Sequence, residues 1–235
     1  KNKLSLEFFL FVYKTPKFMK NNNIIIAVPR GRILAECKDL LNKTSFYPDK
    51  ELFDESTRKL TFSSNNPEVF YIKVRAFDVC TFVAFGAAQL GIAGEDVIEE
   101  FNYSEVYAPL NLNIGNCRLS VAALKSLLKK ENPDTWSNIR IATKYPNISK
   151  KFFAKKGIQV DAIKLNGSME LAPSLKMCRR IVDLVSTGKT LKENGLKEIE
   201  EIIQVESKLI INRSAYKTKV NTIQKIIDEF KNIIK

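Results

Sequence analysis

The sequence contains no histidine among its 235 residues. That absence excludes every serine–histidine or cysteine–histidine mechanism and every imidazole metal ligand within the chain. Acid–base work must fall to carboxylates, lysine, tyrosine or cysteine, or the reaction needs little of it. Cysteine is scarce. Cys37, Cys80, Cys117 and Cys178 lie far apart and form no C-x-x-C pair, which argues against a zinc site. Each sits in or beside an apolar stretch, so all four read as buried, reduced thiols of a cytoplasmic protein. No apolar run approaches the roughly 18 residues of a membrane-spanning helix. Phe8 to Tyr13 is at the short limit for a signal segment, and no small-residue cleavage site follows it. Met19 reads as the native start, with residues 1–18 an upstream stretch or a loosely attached arm. There is no Pro/Gly/Ser-rich linker, no internal repeat and no low-complexity segment.

What is present is globular. Hydrophobic residues make up 45% and charged residues 27%, enough apolar material for a core. The formal net charge is +12, which favours anionic partners: nucleic acid, a membrane surface or phosphorylated metabolites. The lysines are spread along the chain, and no zinc-finger, RNP or helix-turn-helix signature appears, so nucleic acid is not the expected partner.

From Ile24 onward, short β-branched runs alternate with helical patterns. Strands are expected at Ile24–Val28, Lys59–Phe62, Val69–Val74, Leu90–Ala93, Tyr107–Asn113, Cys117–Ala123, Ile139–Thr143, Asp161–Leu165, Ile181–Ser186 and Lys208–Asn212. Helices are expected at Ile33–Leu41, Val79–Phe85 with Asp78 as its N-cap, Ile148–Lys156, Met169–Met177 behind Ser168, and Thr190–Asn194. An amphipathic closing helix starts at Val220. Lys125 to Asn138 reads as a surface loop with a helical start. The βαβ rhythm implies parallel sheets covered by helices.

Three segments could carry chemistry. In Asp183-Leu184-Val185-Ser186-Thr187-Gly188-Lys189-Thr190, a buried strand ends in a hydroxyl-rich turn before a helical pattern. Backbone N–H groups, hydroxyls and a helix start converge there, an arrangement that suits phosphate. Asp183, near the strand's end, could hold ribose hydroxyls or an Mg²⁺. The G-x-x-x-x-G-K spacing of a Walker loop is missing. Pro29-Arg30-Gly31-Arg32 also joins a strand to a helix, and its guanidinium forks suit a polyphosphate. Arg58 and Arg75 flank later strands, and in a parallel sheet Arg32 and Arg75 would meet at the strands' carboxyl ends. Glu95 and Asp96 open a helix after Leu90-Gly91-Ile92-Ala93-Gly94 and read mainly as N-terminal charge; Glu170 has the same reading or faces a ligand.

Seven segments occur in a familiar order. They are Val28-Pro29-Arg30-Gly31-Arg32-Ile33-Leu34, Arg58-Lys59-Leu60, Val74-Arg75-Ala76-Phe77-Asp78-Val79, Leu90-Gly91-Ile92-Ala93-Gly94-Glu95-Asp96-Val97, Ala142-Thr143-Lys144-Tyr145-Pro146, Gly167-Ser168-Met169-Glu170-Leu171-Ala172-Pro173 and Asp183 to Leu191. From about Asn23 to its end, the chain resembles the ATP phosphoribosyltransferase family, and its length resembles the short form. The resemblance implies a two-lobed α/β fold like the type II periplasmic binding proteins, with a parallel or mixed sheet in each lobe and the active site in the cleft. It implies an N-terminal extension over 1–23, a first lobe of 24–113 plus 207–235, and a second lobe of 114–206 carrying the phosphoribosyl loop. The reaction implied joins N1 of the adenine of ATP to C1 of 5-phosphoribosyl diphosphate and releases diphosphate, the first step of histidine biosynthesis, with substrate-bound Mg²⁺.

By the same resemblance, Asp183, Ser186, Thr187, Gly188, Lys189 and Thr190 hold phosphoribosyl diphosphate. Arg32 and Arg58 face the phosphates at the reacting centre, while Arg30, Gly31, Arg75 and Glu170 lie on the ATP side. No protein metal ligand is implied. The expected partners are a second copy of the chain and a regulatory subunit resembling histidyl-tRNA synthetase, in the cytoplasm and away from membranes. The alternative is a non-catalytic two-lobed binder of a phosphorylated anion. Arg30 stands where the family often has lysine, and Met177-Cys178-Arg179-Arg180 is more basic than the usual stretch there.

Overall fold

A computed structural model of the chain describes residues 22–128 and 135–235. The segment around Met19, and the stretch 129–134 within the expected surface loop, lie outside the described residues. The chain divides into two compact units: one runs up to Ile92 and resumes at Ile210, and the other is Ala93–Leu209.

The first unit is organised by β1 (Ile24–Pro29), every residue of which is buried. A strand covered on both faces reads as a continuous apolar run, as Ile-Ile-Ile-Ala-Val does. β3 (Val69–Val74) and β4 (Leu90–Gly94) pair with β1 in parallel, and the short β2 (Thr61–Ser63) runs antiparallel on β3. In sheet order β11 (Ser207–Asn212) follows β4, and β5 (Val106–Asn111) follows β11. The chain passes from one unit to the other along β4 and returns along β11.

Three helices cover this sheet's core. Helix α1 (Arg32–Asn42) buries Leu34, Cys37, Leu40 and Leu41, one face at helical spacing. Helix α2 (Ala76–Ala84) buries Val79, Cys80 and Val83. It lies so close to β4 that a Cβ at Gly91 would stand 2.8 Å from Val79 Cγ1 and 2.9 Å from Val83 Cγ2, so glycine is required there. The closing helix (Val220–Ile234, the last of the chain) buries Ile223, Ile226, Ile227 and Phe230, with Phe46 edge-on to Phe230 at 5.7 Å.

The second unit carries a five-stranded sheet. Its strands are β6 (Cys117–Leu124), β7 (Asn138–Thr143), β8 (Gln159–Lys164), β9 (Arg180–Val185) and β10 (Leu196–Val205), in the order β10-β6-β9-β7-β8. β7 is parallel to β8 and β9, whereas β6 is antiparallel to β9 and β10. Helix α3 (Glu95–Phe101) opens this unit. After the single turn α4 (Lys125–Leu128) come α5 (Pro146–Ala154), α6 (Leu171–Ser174) and α7 (Lys189–Glu193). Met169, Ala172, Cys178, Ile181, Val185, Leu191 and Leu196 pack together behind the β9–α7 turn.

Several expectations are corrected. The sheets are mixed, as the family resemblance allows, and not wholly parallel as the βαβ rhythm alone implies, because β2 and β6 run against their neighbours. Helix α2 begins at Ala76 with Arg75 at its N-cap, so Asp78 lies in the first turn and is not the cap. The helix expected over Met169–Met177 is only the turn Leu171–Ser174, with Glu170 in the N-cap position and Ser168 at φ +55°. β10 escaped the sequence reading. Its glutamates at 198, 200 and 201 disfavour strand, and two register shifts against β6 break the alternation that would have announced it.

Cys37, Cys80 and Cys178 are buried, but Cys117 is only half-buried, contrary to expectation. Burial pushes the Cys37 thiol up to about 12 and raises that of Cys178. A thiolate-directed reagent such as iodoacetamide is therefore expected to modify Cys117 first in the folded protein and Cys37 only on unfolding. Peptide mapping after timed alkylation checks this; early labelling of Cys37 would contradict it.

Candidate active site

In the first unit, β1 and β3 end side by side. Pro29 pairs with Val74, and the Arg30 N–H donates to the Val74 carbonyl at 2.9 Å. The ladder thus brings Arg30 and Arg75, the next residue of each strand, to one end of the sheet. Gly31 follows at φ +84°, a value that suits glycine, and caps α1, whose first residue is Arg32. Arg30, Arg32, Arg58 and Arg75 are all exposed. Arg32 makes only a loose i,i+4 ion pair, Nε to Glu36 Oε1 at 3.5 Å.

Beside this turn is a pocket of about 410 Å³. Its lining includes the basic Arg30, Lys38 and Lys73, the acidic Asp54 and Glu55, and the apolar Leu34, Leu52 and Phe53. Lys73 is 5% exposed, and its ammonium donates to the carbonyls of Leu52 and Asp54 at 3.0 Å each. Burial lowers its pKa and Arg30 lowers it further, while the carboxylates of Asp54, Glu51 and Glu55 oppose them. In the sequence Lys73 is a lone charge inside the apolar run Val-Phe-Tyr-Ile-Lys-Val, and it opens the basic stretch Lys73-Val74-Arg75 at the strand's end.

In the second unit, β9 delivers Asp183 and then the exposed turn. Ser186, Thr187, Lys189 and Thr190 are exposed, and Gly188 adopts φ +73°, ψ 5°. The Lys189 N–H donates to Thr187 Oγ1 at 3.4 Å, a long bond within the turn. Helix α7 is little more than one turn, so an anion here is held by the turn's own N–H and hydroxyl groups more than by a helix dipole. The turn's first residue is anchored: Arg118 donates to the Ser186 carbonyl at 3.4 Å and is gripped by both Glu198 oxygens at 2.6 Å. Ser120 donates to Glu198 at 2.7 Å.

Asp183 is half-buried, and its carboxylate accepts the neighbouring Leu184 N–H at 2.9 Å. Burial raises its pKa to about 6 from 3.8. The Leu184 N–H and Lys144 oppose this, while Glu170 and Asp96 add to it; Lys144 follows Thr143, which lies opposite Val182 in the β7–β9 register, so it stands at the same strand ends as Asp183. The sequence reading carried Asp183 and Glu170 as site residues but missed Lys144 as their counter-charge.

That raised pKa has a stability consequence. Between about pH 4 and pH 6 the folded chain holds a proton on Asp183 that the unfolded chain has released. Stability therefore falls as pH rises through this window, and the cost stays fully present above it. Asp183→Asn is expected to stabilise the fold by about 1–2 kcal/mol at pH 7.5, an advantage that vanishes near pH 4. Thermal melts of both proteins at the two pH values check the sign; a destabilised variant at pH 7.5 would contradict it.

The two α/β units, each with a strand-end turn suited to an anion, define the fold class. It is the two-lobed α/β class of the type II periplasmic binding proteins. The periplasmic aliphatic sulphonate binding protein SsuA from Escherichia coli shares that fold, with a TM-score of 0.53 at 13% identity, covering 92% of this chain and 73% of that one. The family is narrower. The model for ATP phosphoribosyltransferase matches residues 75–232. The ATP phosphoribosyltransferase of Rhodospirillum rubrum is 52% identical over 210 residues, 89% of this chain and 92% of that protein. That of Citrifermentans bemidjiense is 51% identical over 205 residues, 87% of this chain and 95% of that protein. The ATP phosphoribosyl transferase (HisG:HisZ) complex from Thermotoga maritima contains a chain with a TM-score of 0.74 at 29% identity, covering 90% of this chain and 98% of that one. The chain belongs to the ATP phosphoribosyltransferase family, glycosyltransferases of the first step of histidine biosynthesis.

Proposed function

We propose that the two turns divide the substrates of the family's reaction between them. The Ser186–Thr190 turn takes the phosphoribosyl group, with Asp183 accepting from its ribose hydroxyls. Arg32 and Arg58 neutralise the phosphates at the reacting centre, and Arg30, Gly31, Arg75 and Glu170 serve the ATP. The observation that carries this reading is the pairing of a phosphate-suited turn at Gly188 with Asp183 three residues ahead of its first hydroxyl, on one strand end.

The chemistry fits a chain without histidine. Departure of diphosphate from C1 builds positive character on the sugar and negative charge on the leaving oxygens. Guanidinium groups and fixed N–H donors stabilise that charge where it develops. Adenine N1 attacks with its own lone pair and carries no proton to be removed, so no general base is required. Mg²⁺ is assigned to the substrates' phosphates, where it shields charge on the diphosphate. Among the described residues no group of three or more His, Cys, Asp or Glu side chains is placed to hold a metal ion.

The Thermotoga maritima chain was solved in a HisG:HisZ complex, which supports a regulatory partner of that kind, resembling histidyl-tRNA synthetase, for this chain. No helix of the described residues is long and apolar enough to cross a membrane; we assign the chain to the cytoplasm on its family's role in biosynthesis, and we take a second copy of the chain as its partner in a dimeric catalytic core.

The test is turnover. The purified chain is mixed with ATP, 5-phosphoribosyl diphosphate and Mg²⁺ in the presence of inorganic pyrophosphatase, with and without a candidate regulatory subunit. N1-substituted adenine is followed by its ultraviolet absorbance. Product is expected; binding of both substrates without product in either mixture would overturn the catalytic assignment of the residues.

A further inference from the structure

The second unit contains a buried polar chain that the reaction does not directly use. Tyr145 is 2% exposed and Asp96 5%, and the Tyr145 hydroxyl donates to Asp96 Oδ2 at 2.7 Å. Thr143, with no exposed surface, is bonded on both sides: the Tyr145 N–H donates to its Oγ1 at 2.9 Å, and that hydroxyl donates to the Val182 carbonyl at 2.8 Å. Val182 immediately precedes Asp183 on β9 and lies opposite Thr143 in the β7–β9 register. The chain of bonds therefore runs from the start of α3, through the turn that ends β7, to the carbonyl beside Asp183.

Burying a carboxylate and a phenol together costs free energy unless each satisfies the other. Burial raises the pKa of both groups, so the phenol keeps its proton and donates it to Asp96. Helix α3 grips the same segment a second time. The Glu100 carboxylate accepts the N–H groups of Asn147 at 3.1 Å and Ile148 at 3.0 Å at the start of α5. Glu100 thereby satisfies a helix end, a sufficient structural reason for its presence. The Asp96–Tyr145 bond joins two helix starts, since Asp96 lies in the first turn of α3, where its carboxylate also takes the Val97 N–H, and Tyr145 is the N-cap residue of α5. What it fixes is the turn Thr143–Tyr145, and with it Lys144, the counter-charge of Asp183.

We propose that the Asp96–Tyr145 hydrogen bond is a positioning device for the phosphoribosyl site, holding the Thr143–Tyr145 turn against β9 so that Lys144 and Asp183 keep the spacing the sugar requires. Asp96 and Tyr145 are positioning residues: they act through Lys144, Thr143 and Asp183. The inference rests on the assignment of Asp183 to the ribose under the proposed function.

The test uses Tyr145→Phe, which keeps the ring and deletes the bond, and Asp96→Ala, which deletes the other partner. Both are assayed in the full chain with its Mg²⁺-bound substrates. KM for 5-phosphoribosyl diphosphate is expected to rise about ten-fold in each, with kcat and KM for ATP within about three-fold. The double variant is expected to be no worse than Asp96→Ala alone, because the one bond that Tyr145→Phe removes is already lost there. A merely structural role lowers the melting temperature without this split between KM and kcat. If either variant fails to fold, Thr143→Val, which keeps the shape and removes both Thr143 bonds, takes its place with the same expectation. Asp183→Asn is the reference. A raised KM in Asp183→Asn with unchanged KM in the folded Tyr145 and Asp96 variants overturns the positioning role alone. An unchanged KM in Asp183→Asn overturns the ribose assignment and the inference with it.

Discussion

Arg32→Ala is expected to lower kcat by about 10²- to 10³-fold, the loss seen when one preorganised donor to a developing anion is removed. The fold should hardly notice. Arg32 is the first residue of α1, exposed, and its one ion pair among the described residues is the 3.5 Å approach to an exposed Glu36. Exposed pairs of this kind contribute about 0–1 kcal/mol, so the melting temperature should move by at most a few degrees. Structure and catalysis are thus separable at this position. Arg32→Lys sharpens the point. It keeps the charge but loses the planar fork that meets two phosphate oxygens at once, and should fall between the native protein and the alanine variant. Steady-state kinetics with each substrate varied distinguishes a transition-state contact from ground-state binding: kcat falls while KM for ATP changes little. Unchanged turnover in a folded Arg32→Ala protein would remove this arginine from the reacting centre.

Both turns were legible in the sequence because each sits where a saturated apolar run stops at small or charged residues. β1 and β9 are the plainest cases: Ile-Ile-Ile-Ala-Val ends at Pro-Arg-Gly-Arg, and Ile-Val-Asp-Leu-Val ends at Ser-Thr-Gly-Lys-Thr. What stayed hidden depended on partners distant in sequence. Lys144 acts on Asp183, and Tyr145 reaches Asp96, only because β7 lies beside β9 and α3 beside α5. Nothing local marks Tyr145 as anything but an aromatic core residue. Asp96 was read as helix N-terminal charge, and it does occupy the first turn of α3; its burial against a phenol is tertiary. β10 was hidden for the opposite reason, since its local sequence argues against its conformation and only pairing along β6 holds it extended.

Gly188→Val is expected to weaken 5-phosphoribosyl diphosphate binding at least 100-fold, and the structure shifts the reason from space to backbone. A Cβ at residue 188 would meet only Val185 Cγ1, at 3.9 Å, an ordinary contact. Bulk within the protein is therefore not the obstacle. The obstacle is φ +73°, a left-handed conformation that costs an L-residue about 1–2 kcal/mol and a β-branched one more. Valine would relieve the strain by rotating the 187–188 and 188–189 peptides, whose N–H groups the proposed phosphate site uses. Because the turn is exposed and its residues pack little, that rearrangement should leave the rest of the second unit folded. Alanine, which tolerates the left-handed region somewhat better, should lose about ten-fold. Calorimetric titration of each variant with 5-phosphoribosyl diphosphate and Mg²⁺, in the absence of ATP, reads the affinity directly, and a parallel melt separates local from global damage. Binding as tight as the native protein's in a folded Gly188→Val variant would mean that the Ser186–Thr190 turn does not hold the phosphate. The backbone argument also predicts the order native, alanine, valine, whereas simple steric exclusion of ligand by a side chain would leave alanine near native.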